Sequence, residues 1–189
     1  MRRLETRLDG PILVEPVVHG DERGFFAETY RRSVFEELGI RGEFVQDNHS
    51  RSGKGIVRGM HFQVARGAAK LVRCGRGAIL DALVDLRRGS PTFGQWEACE
   101  LTDENMRMLY VPYGFAHGFC VLSDVADVFY KQDAYYADAT ERGIKYDDPD
   151  VGIEWPAGLE LQPSQRDATA PRLKDIADEL PFVYVPSSR

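Results

Sequence analysis

The chain has 189 residues, of which 43% are hydrophobic and 29% are charged, and its formal net charge is -6. This length suits one well-buried core, and the composition is typical of a soluble globular protein rather than a disordered or membrane protein. An acidic balance argues against nucleic-acid binding, which needs clustered lysine and arginine. We therefore expect a single domain over residues 1–189, without a nucleic-acid or membrane partner.

The start of the chain and its cysteines indicate a cellular compartment. The first seven residues are largely charged and lead into Gly10 and Pro11, without the apolar stretch of a secretion signal. Cys74, Cys99 and Cys120 are scattered, odd in number and not spaced as CxxC, so neither a disulfide framework nor a zinc site is predicted. We expect a cytoplasmic protein.

Short runs of alternating apolar and polar residues dominate the chain, and Gly, Pro, Asp and Ser separate them, which predicts β-strands. In chain order, the predicted strands cover residues 25–30, 44–50, 57–63, 70–74, 78–87, 96–101, 108–111, 115–122 and 125–132. In residues 78–87 the even positions are apolar and the odd positions include Asp81 and Asp85, so we interpret this strand as half-buried. Eight or more strands predict an all-β, closed antiparallel barrel.

Two peripheral helices are predicted. The first covers residues 33–38, where Ser33 and Glu36 form a capping box and Gly39 ends the helix. The second covers about residues 171–180, because Pro171 suits a first helical position and Pro181 follows the end.

His61 is the first candidate for chemistry. It lies in the predicted strand RGMHFQ (residues 58–63), on one face with Gln63 and Gly59, and the missing side chain of Gly59 would leave room for a ligand. From this segment alone, a structural histidine that bonds a neighbour is an equally good interpretation.

Three further residues are candidates with weaker local signals. His117 shares a predicted strand face with two phenylalanines in GFAHGF (residues 114–119), as expected for a largely apolar pocket with few polar groups. Tyr130 shares the face of two apolar residues and would point into the barrel, where a buried tyrosine usually only satisfies its hydroxyl. Lys70 begins an apolar strand, although lysines at strand ends are mostly solvated.

A metal centre is a further alternative, because small β-barrels of the cupin kind often bind a metal through an HxH pair, a carboxylate and another histidine. Here the corresponding residues are His61 and Gln63, and glutamine is a poor metal ligand. We therefore expect neither a metal nor another cofactor.

Taken together, these segments resemble the dTDP-4-dehydrorhamnose 3,5-epimerases, which have the cupin fold, a jelly-roll β-barrel. The resemblance runs from about residue 20 to residue 180 and is carried by ordered blocks: GDERGFFAE (20–28), QDNHS (46–50), RGMHFQ (58–63), KLV (70–72), VDLR (84–87), GSPTFG (89–94), GFAHGF (114–119), YK (130–131) and DDP (147–149).

The resemblance implies a catalytic set. His61 would be the base, Asp167 its dyad partner, Tyr130 the acid on the opposite face of the sugar, and Lys70 the group facing the C4 oxygen. These residue types suit the chemistry: an imidazole, with an unperturbed pKa of about 6.5, can remove a proton beside a ketone. A donor at the enolate oxygen stabilises the transition state, and a phenol can protonate the other face.

The resemblance also implies a binding set that contacts the nucleotide, the diphosphate or the sugar: Arg23, Phe26, Glu28, Gln46, Asn48, Arg58, His117, Tyr136, Glu141 and Arg166. Arginines recognise a diphosphate locally through bidentate hydrogen bonds, so an acidic protein can still bind this anion. Family members are homodimers in which the N-terminal strand crosses to the partner. Arg23 and Glu28 would then serve the neighbouring site.

The implied function is epimerisation at C3 and C5 of dTDP-4-dehydro-6-deoxy-D-glucose, which gives dTDP-4-dehydro-L-rhamnose. The sequence departs from the family pattern in the loop at residues 64–69 and at Lys145 and Tyr146, where a tryptophan is common. A C3-only or C5-only epimerase on a related dTDP-4-keto-deoxysugar is therefore the closest alternative. A metal-dependent cupin enzyme and a non-catalytic sugar-nucleotide binding protein are the others.

Overall fold

A computed structural model describes residues 1–64 and 68–186, and the protein is mostly β-structure. The strands are β1 (Arg2–Leu4), β2 (Ile12–Glu15), β3 (Val18–Asp21), β4 (Gly24–Ala27), β5 (Gln46–Gly53), β6 (Ile56–Gln63), β7 (Lys70–Arg76), β8 (Ala78–Asp85), β9 (Trp96–Thr102), β10 (Met108–Val111), β11 (Phe115–Val121), β12 (Val125–Gln132), β13 (Glu141–Gly143) and β14 (Gln162–Pro163). Three short helices are α1 (Arg32–Glu37), α2 (Gln165–Ala168) and α3 (Leu173–Ile176).

Two sheets form the body of the molecule. The first has the order β1-β2-β10-β7-β12-β5, and the second has the order β13-β6-β11-β8-β9, with β14 beside β6. Among the strands that the structure describes, the pairings are antiparallel except for that of β14 with β6. A separate hairpin consists of β3 and β4. The predicted all-β barrel of the cupin kind is confirmed.

The strands predicted between residues 57 and 132 all occur, and those at residues 108–111 and 125–132 have the predicted bounds. Five short strands were not predicted: β1, β2, β3, β13 and β14. Each has four residues or fewer, which is too short for an alternating pattern to stand out.

The interpretation of residues 78–87 as half-buried is wrong. Asp81 and Asp85 are both fully buried, because β8 has neighbouring strands on both sides and packed side chains on both faces. Its odd positions Ile79 and Leu83 contribute to the core cluster of the barrel interior, together with residues of the first sheet. Its even positions pack outside the second sheet against Leu173 and its neighbours. A strand buried on both faces has no solvent face to detect.

The helices differ from their predictions at the ends. The first helix begins at Arg32, its N-cap is Arg31, and no side chain caps it, so the predicted capping box at Ser33 is wrong. Glu36 instead pairs with Arg32, one turn away. The second predicted helix is shorter than residues 171–180: α3 ends at Ile176 and a 3-10 turn covers Ala177–Glu179. Within the described ranges, none of the helices is long and apolar enough to cross a membrane.

Candidate active site

A cavity of about 550 Å³ is lined by residues of both sheets and of α2. It brings together eight of the residues implied as catalytic or binding, although they are spread over more than 100 positions of the chain. These are Arg58, His61, Lys70, His117, Tyr130, Glu141, Arg166 and Asp167. The cavity is therefore the candidate active site.

His61 and Asp167 form a hydrogen-bonded pair at this cavity. Nε2 of His61 donates to Oδ1 of Asp167 at 2.6 Å. The side chain of His61 is 25% exposed, whereas that of Asp167 is only 5% exposed. The imidazole therefore remains accessible from the cavity while the carboxylate holds it from behind.

The local structure fixes Asp167 in place. Ser164 is the N-cap of α2, and its hydroxyl accepts a hydrogen bond from the backbone N–H of Asp167 at 3.1 Å. The backbone N–H of Gly59 donates to the other carboxylate oxygen at 3.4 Å. Burial raises the pKa of Asp167, but the hydrogen bonds from His61 and its neighbours outweigh burial and hold the pKa below its ordinary value. Asp167 is thus a charged carboxylate at neutral pH.

Tyr130 reaches the same cavity from the other sheet. It lies on β12, whereas His61 lies on β6, so the phenol and the imidazole come from facing sheets. Its strand face also carries Ala126 and Val128, which are buried in the barrel core, as expected. Burial raises the pKa of Tyr130, and the charge of Glu141 adds to the increase. The phenol is therefore a neutral proton donor.

Lys70 lines the cavity at the start of β7. Among the described residues, its ammonium group has neither a hydrogen bond nor a salt bridge. Burial lowers the pKa of Lys70, although the charges of Glu141 and Asp81 act in the opposite direction. The ammonium group is available to a negatively charged oxygen of a ligand.

His117 forms a second histidine–carboxylate pair. Its Nε2 donates to Oδ1 of Asp81 at 2.8 Å, and both side chains are buried. On its strand face, His117 is flanked by Phe115 and Phe119, and Phe119 also lines the cavity. The predicted aromatic surroundings of His117 are therefore present. Asp81 was missed by the sequence analysis.

A polar network surrounds the rim of the cavity. Glu141 accepts hydrogen bonds from Arg166 at 2.7 Å and from the hydroxyl of Tyr136 at 3.2 Å. The backbone N–H of Tyr136 donates to the side chain of Gln46 at 2.9 Å, and Gln46 in turn donates to Asn48. Tyr136, Gln46 and Asn48 thus reach the site through this network, although they do not line the cavity.

Gln132 is a second residue that the sequence analysis missed. It is 3% exposed, and its Oε1 accepts a hydrogen bond from Asn48 at 2.9 Å. It ends β12 directly opposite Gln46. A fully buried amide opposite two polar residues could have been recognised only once the strand pairing was known.

Arg23, Phe26 and Glu28 do not reach the cavity within one chain. Arg23 and Phe26 lie on the β3–β4 hairpin, whose residues are exposed apart from Ala27. Arg23 pairs with Asp21, and Glu28 pairs with Arg31.

Gly59, next to the site, has a structural role that differs from the predicted one. A Cβ atom at Gly59 would lie 2.5 Å from the Cα of Gly118, and the φ angle of Gly59 is +128°. The missing side chain therefore allows two strands to approach, and the prediction that it leaves room for a ligand is wrong. Gln63 accepts a hydrogen bond from Thr140 at 3.1 Å. Within residues 1–64 and 68–186, no group of three or more His, Cys, Asp or Glu side chains is arranged to bind a metal.

The first departure from the family pattern is the loop at residues 64–69, beside Lys70. Residues 65–67 of this loop lie outside the described residues. The other departure is described. Trp155 donates from its indole Nε1 to the backbone carbonyl of Tyr146 at 2.8 Å. A tryptophan therefore lies beside the position where the family pattern has one, but it comes from another part of the chain.

Comparison with known proteins gives one consistent result. A family model described as dTDP-4-dehydrorhamnose 3,5-epimerase matches residues 5–175. The chain is 51% identical over 158 residues to the dTDP-4-dehydrorhamnose 3,5-epimerase of Shigella flexneri, which covers 82% of this chain and 87% of that protein. It is 41% identical over 180 residues to the dTDP-4-dehydrorhamnose 3-epimerase of Streptomyces niveus, which covers 94% of this chain and 86% of that protein.

A solved structure agrees with the sequence relatives. The dTDP-6-deoxy-D-glucose-3,5-epimerase of Legionella pneumophila Philadelphia 1, crystallised with dTDP-4-keto-L-rhamnose, superposes with a TM-score of 0.94. The two sequences are 46% identical, and the superposition covers 98% of this chain and 99% of the other.

Proposed function

The chain belongs to the dTDP-4-dehydrorhamnose 3,5-epimerase family, and we propose that it converts dTDP-4-dehydro-6-deoxy-D-glucose to dTDP-4-dehydro-L-rhamnose by epimerisation at C3 and C5. One observation carries the proposal: an imidazole paired with a carboxylate and a neutral phenol line one cavity from different sheets. Inversion of a carbon needs a base on one face and an acid on the other, and this arrangement supplies both.

In the proposed mechanism, His61 removes the proton from the carbon beside the C4 ketone. The proton moves to Nδ1, because Nε2 already donates to Asp167. The electron pair of the C–H bond forms an enolate, and its negative charge at the C4 oxygen is stabilised by the ammonium of Lys70. The hydroxyl of Tyr130 then protonates the carbon from the other face. Proton exchange with solvent restores the imidazole and the phenol before the second carbon reacts.

Substrate binding is proposed at the rim of the cavity. Arg58 and Arg166 are exposed guanidinium groups at the mouth and suit the diphosphate. Tyr136 is 47% exposed beside Gln46 and would stack on the nucleotide base. Glu141 holds Arg166 and Tyr136 together and would thus join the diphosphate and base subsites.

The test is a reaction in deuterium oxide, followed by NMR of the sugar ring. Deuterium at both C3 and C5, together with the L-rhamnose configuration, would support the proposal. Label at C3 alone would instead support a 3-epimerase, the activity named for the Streptomyces niveus relative. The proposed route uses only side-chain acids and bases, so activity should survive dialysis against a chelator. Loss of activity that added metal restores would contradict this route.

The Tyr130→Phe variant separates the two proton transfers. Without the phenol, His61 can still exchange the substrate proton with deuterium on its own face, but inversion should fall by about 10²–10⁴-fold. Tyr110→Phe is the matched control, because Tyr110 packs in the cluster outside the first sheet. Equal loss of exchange and inversion in Tyr130→Phe would contradict the assignment of Tyr130 as the acid.

We further propose a homodimer in which the β3–β4 hairpin completes the site of the partner. Phe25 and Phe26 are 65% and 71% exposed, which is unusual for large apolar side chains on a hairpin separate from both sheets. A partner that covers them would bring Arg23 and Glu28 to its own cavity. Cytoplasmic action is also proposed, since Cys74, Cys99 and Cys120 are all free thiols.

Subunit mixing tests this assembly. His61→Ala and Phe26→Ala variants should each be nearly inactive alone, because one lacks the base and the other lacks the hairpin contact. After unfolding and refolding together, mixed dimers should regain activity, since one of their two sites combines an intact cavity with an intact hairpin. A monomer in sedimentation velocity, or no recovery in mixed dimers, would contradict hairpin exchange.

A further inference from the structure

Gln132 is a buried amide with a defined place in the first sheet. Its side chain is 3% exposed, and its direct strand partners are Gln46 on β5 and Lys70 on β7. Side chains directly opposite each other across two strands lie on one face and within contact distance. Tyr130, two residues earlier on β12, shares this face. Gln132 therefore lies between a proposed nucleotide-binding residue and the two proposed catalytic residues of the first sheet.

Three side-chain amides form a chain of hydrogen bonds that begins at this position. Oε1 of Gln132 accepts from Nδ2 of Asn48 at 2.9 Å. Oδ1 of Asn48 accepts from Nε2 of Gln46 at 2.9 Å. Oε1 of Gln46 accepts from the backbone N–H of Tyr136 at 2.9 Å. The chain thus connects the end of β12 with Tyr136, the residue proposed to stack on the nucleotide base.

One atom fixes the direction of this chain. The backbone N–H of Tyr136 can only donate, so the carbonyl oxygen of Gln46 faces it. The amide nitrogen of Gln46 then faces Asn48, and the amide nitrogen of Asn48 faces Gln132. An amide nitrogen has two hydrogens, so Asn48 retains one N–H that has no partner among the described residues. This donor suits the acceptor oxygens of a nucleoside diphosphate.

The carbonyl oxygen of Gln132 holds Asn48 in this orientation. β12 has a neighbouring strand on each side, so the backbone that carries Gln132 is fixed by two ladders. Without the acceptor, the half-buried amide of Asn48 loses its partner and is free to turn. A turned amide would present its carbonyl oxygen, which repels the oxygens of a diphosphate.

We infer that Gln132 is a positioning residue for the nucleotide end of the site: it orients Asn48, and through Asn48 it orients Gln46 and the backbone of Tyr136, so that Asn48 donates to the nucleoside diphosphate. Gln132 does not line the cavity and does not touch the sugar. The inference rests on the proposed function, which supplies the nucleoside diphosphate. Loss of this role should weaken binding without slowing the proton transfers.

Gln132→Met tests this role, because methionine has a similar length but only a weak acceptor. We expect the Kd for dTDP, measured by isothermal titration calorimetry, to rise about 10-fold. The KM for the dTDP-sugar should rise by a similar factor with little change in kcat, as for the loss of an interaction that binds substrate and transition state equally. An unchanged Kd, or a loss confined to kcat, would overturn the inference.

A double variant tests whether Gln132 acts through Asn48. In the Asn48→Ala background, Gln132→Met should have little further effect on the Kd for dTDP, because the amide that it orients is already absent. Additive losses of affinity in the double variant would overturn the inference.

Ser90→Ala is the control for a general loss of stability. Ser90 donates to the buried Asp85 at 2.6 Å, and neither residue lines the cavity. This variant should lower the melting temperature without raising the Kd for dTDP. If both variants raise the Kd in proportion to their loss of stability, Gln132 is only structural and the inference fails.

The amide of Asn48 is read directly by NMR of the ¹⁵N-labelled protein, where its signals are assigned by their loss in Asn48→Asp. One of its two hydrogens should resonate downfield, as in a hydrogen-bonded amide, and this shift should disappear in Gln132→Met. Its absence from the wild-type protein would overturn the inference. If the wild-type protein shows no isotope exchange in the sugar, the proposed epimerase function fails, while dTDP binding and the Asn48 signals still decide the role of Gln132.

Discussion

The two histidine–aspartate pairs of the cavity have the same chemical groups in different surroundings. The His61–Asp167 pair spans 2.6 Å at the edge of the barrel, with a ring that is 25% exposed. The His117–Asp81 pair spans 2.8 Å inside the barrel, with a ring that is 8% exposed. The ring of His61 is therefore much more accessible to solvent than the ring of His117, as a base that exchanges its proton with water requires.

Replacement of each ring gives the largest expected contrast. His61→Ala should reduce both isotope exchange and epimerisation by about 10²–10⁴-fold, because it removes the proposed base. His117→Gln should reduce the rate by only about 10²-fold, because it removes one polar group from the lining of the cavity and leaves the proposed base in place. Rates of deuterium incorporation measure both effects.

The order of these effects is the informative result. Both variants should keep the wild-type circular dichroism spectrum, which excludes misfolding as the cause. A larger loss in His117→Gln than in His61→Ala would contradict the assignment of His61 as the base.

Lys70 lines the same cavity as His61 and His117. Its replacement measures how much a buried charge in this cavity destabilises the folded protein. Because burial lowers its pKa, the charged form is disfavoured in the folded state. Lys70→Met should therefore lower the rate by about 10²–10³-fold while raising the melting temperature by about 2–4 °C. Lys54→Met is the control: Lys54 is exposed outside the cavity, and its replacement should have little effect on either quantity.

The higher stability of Lys70→Met should depend on pH, because the pKa of Lys70 is lowered in the folded state. Below the lowered pKa, the folded protein bears the full cost of the ammonium group. Between that pKa and the ordinary value of 10.5, the folded state loses the proton first, so the cost diminishes. The stability advantage of Lys70→Met over wild type should thus shrink as the pH rises through this interval. An advantage that grows would contradict the assignment.

Ser164→Ala is expected to have the smallest effect on stability and rate, and its effect should be confined to the His61–Asp167 pair. Loss of the N-cap of α2 should cost about 0.5–2 kcal/mol of unfolding free energy and loosen Asp167 behind His61. Ser164→Thr keeps a capping hydroxyl and should restore most of the stability and rate. The ¹⁵N resonances of His117, measured with labelled histidine, should stay unchanged in both variants, because Ser164 contacts Asp167 and not the His117–Asp81 pair.

The strands from Ile56 to Gln132 could be predicted because each is long enough for its pattern to show. The same pattern gave the wrong burial for Asp81. Alternation of apolar and polar residues identifies the two faces of a strand, but it does not show which face is exposed to solvent. Residues 78–87 have apolar side chains on both faces, and the face with two aspartates proved to be the barrel interior.

The site was predictable in part for a different reason. No local signal links Asp167 to His61, which precedes it by 106 residues, and only the resemblance to a family joined them. Gln132 was missed because its polar partners, Gln46 and Asn48, lie 86 and 84 residues away. Contacts between distant strands depend on register, which a single sequence does not display.

The register between β6 and β11 has a consequence for how activity is gained and lost. His61 and His117 are direct partners across these strands, and the ladder shifts just beyond His117. A slip of one residue between these strands would leave the two rings on opposite faces of the sheet, so that only one of them could face the cavity. The catalytic centre is therefore as cooperative as the sheet itself, and during denaturation the enzyme should lose turnover in the same transition that abolishes its β-structure.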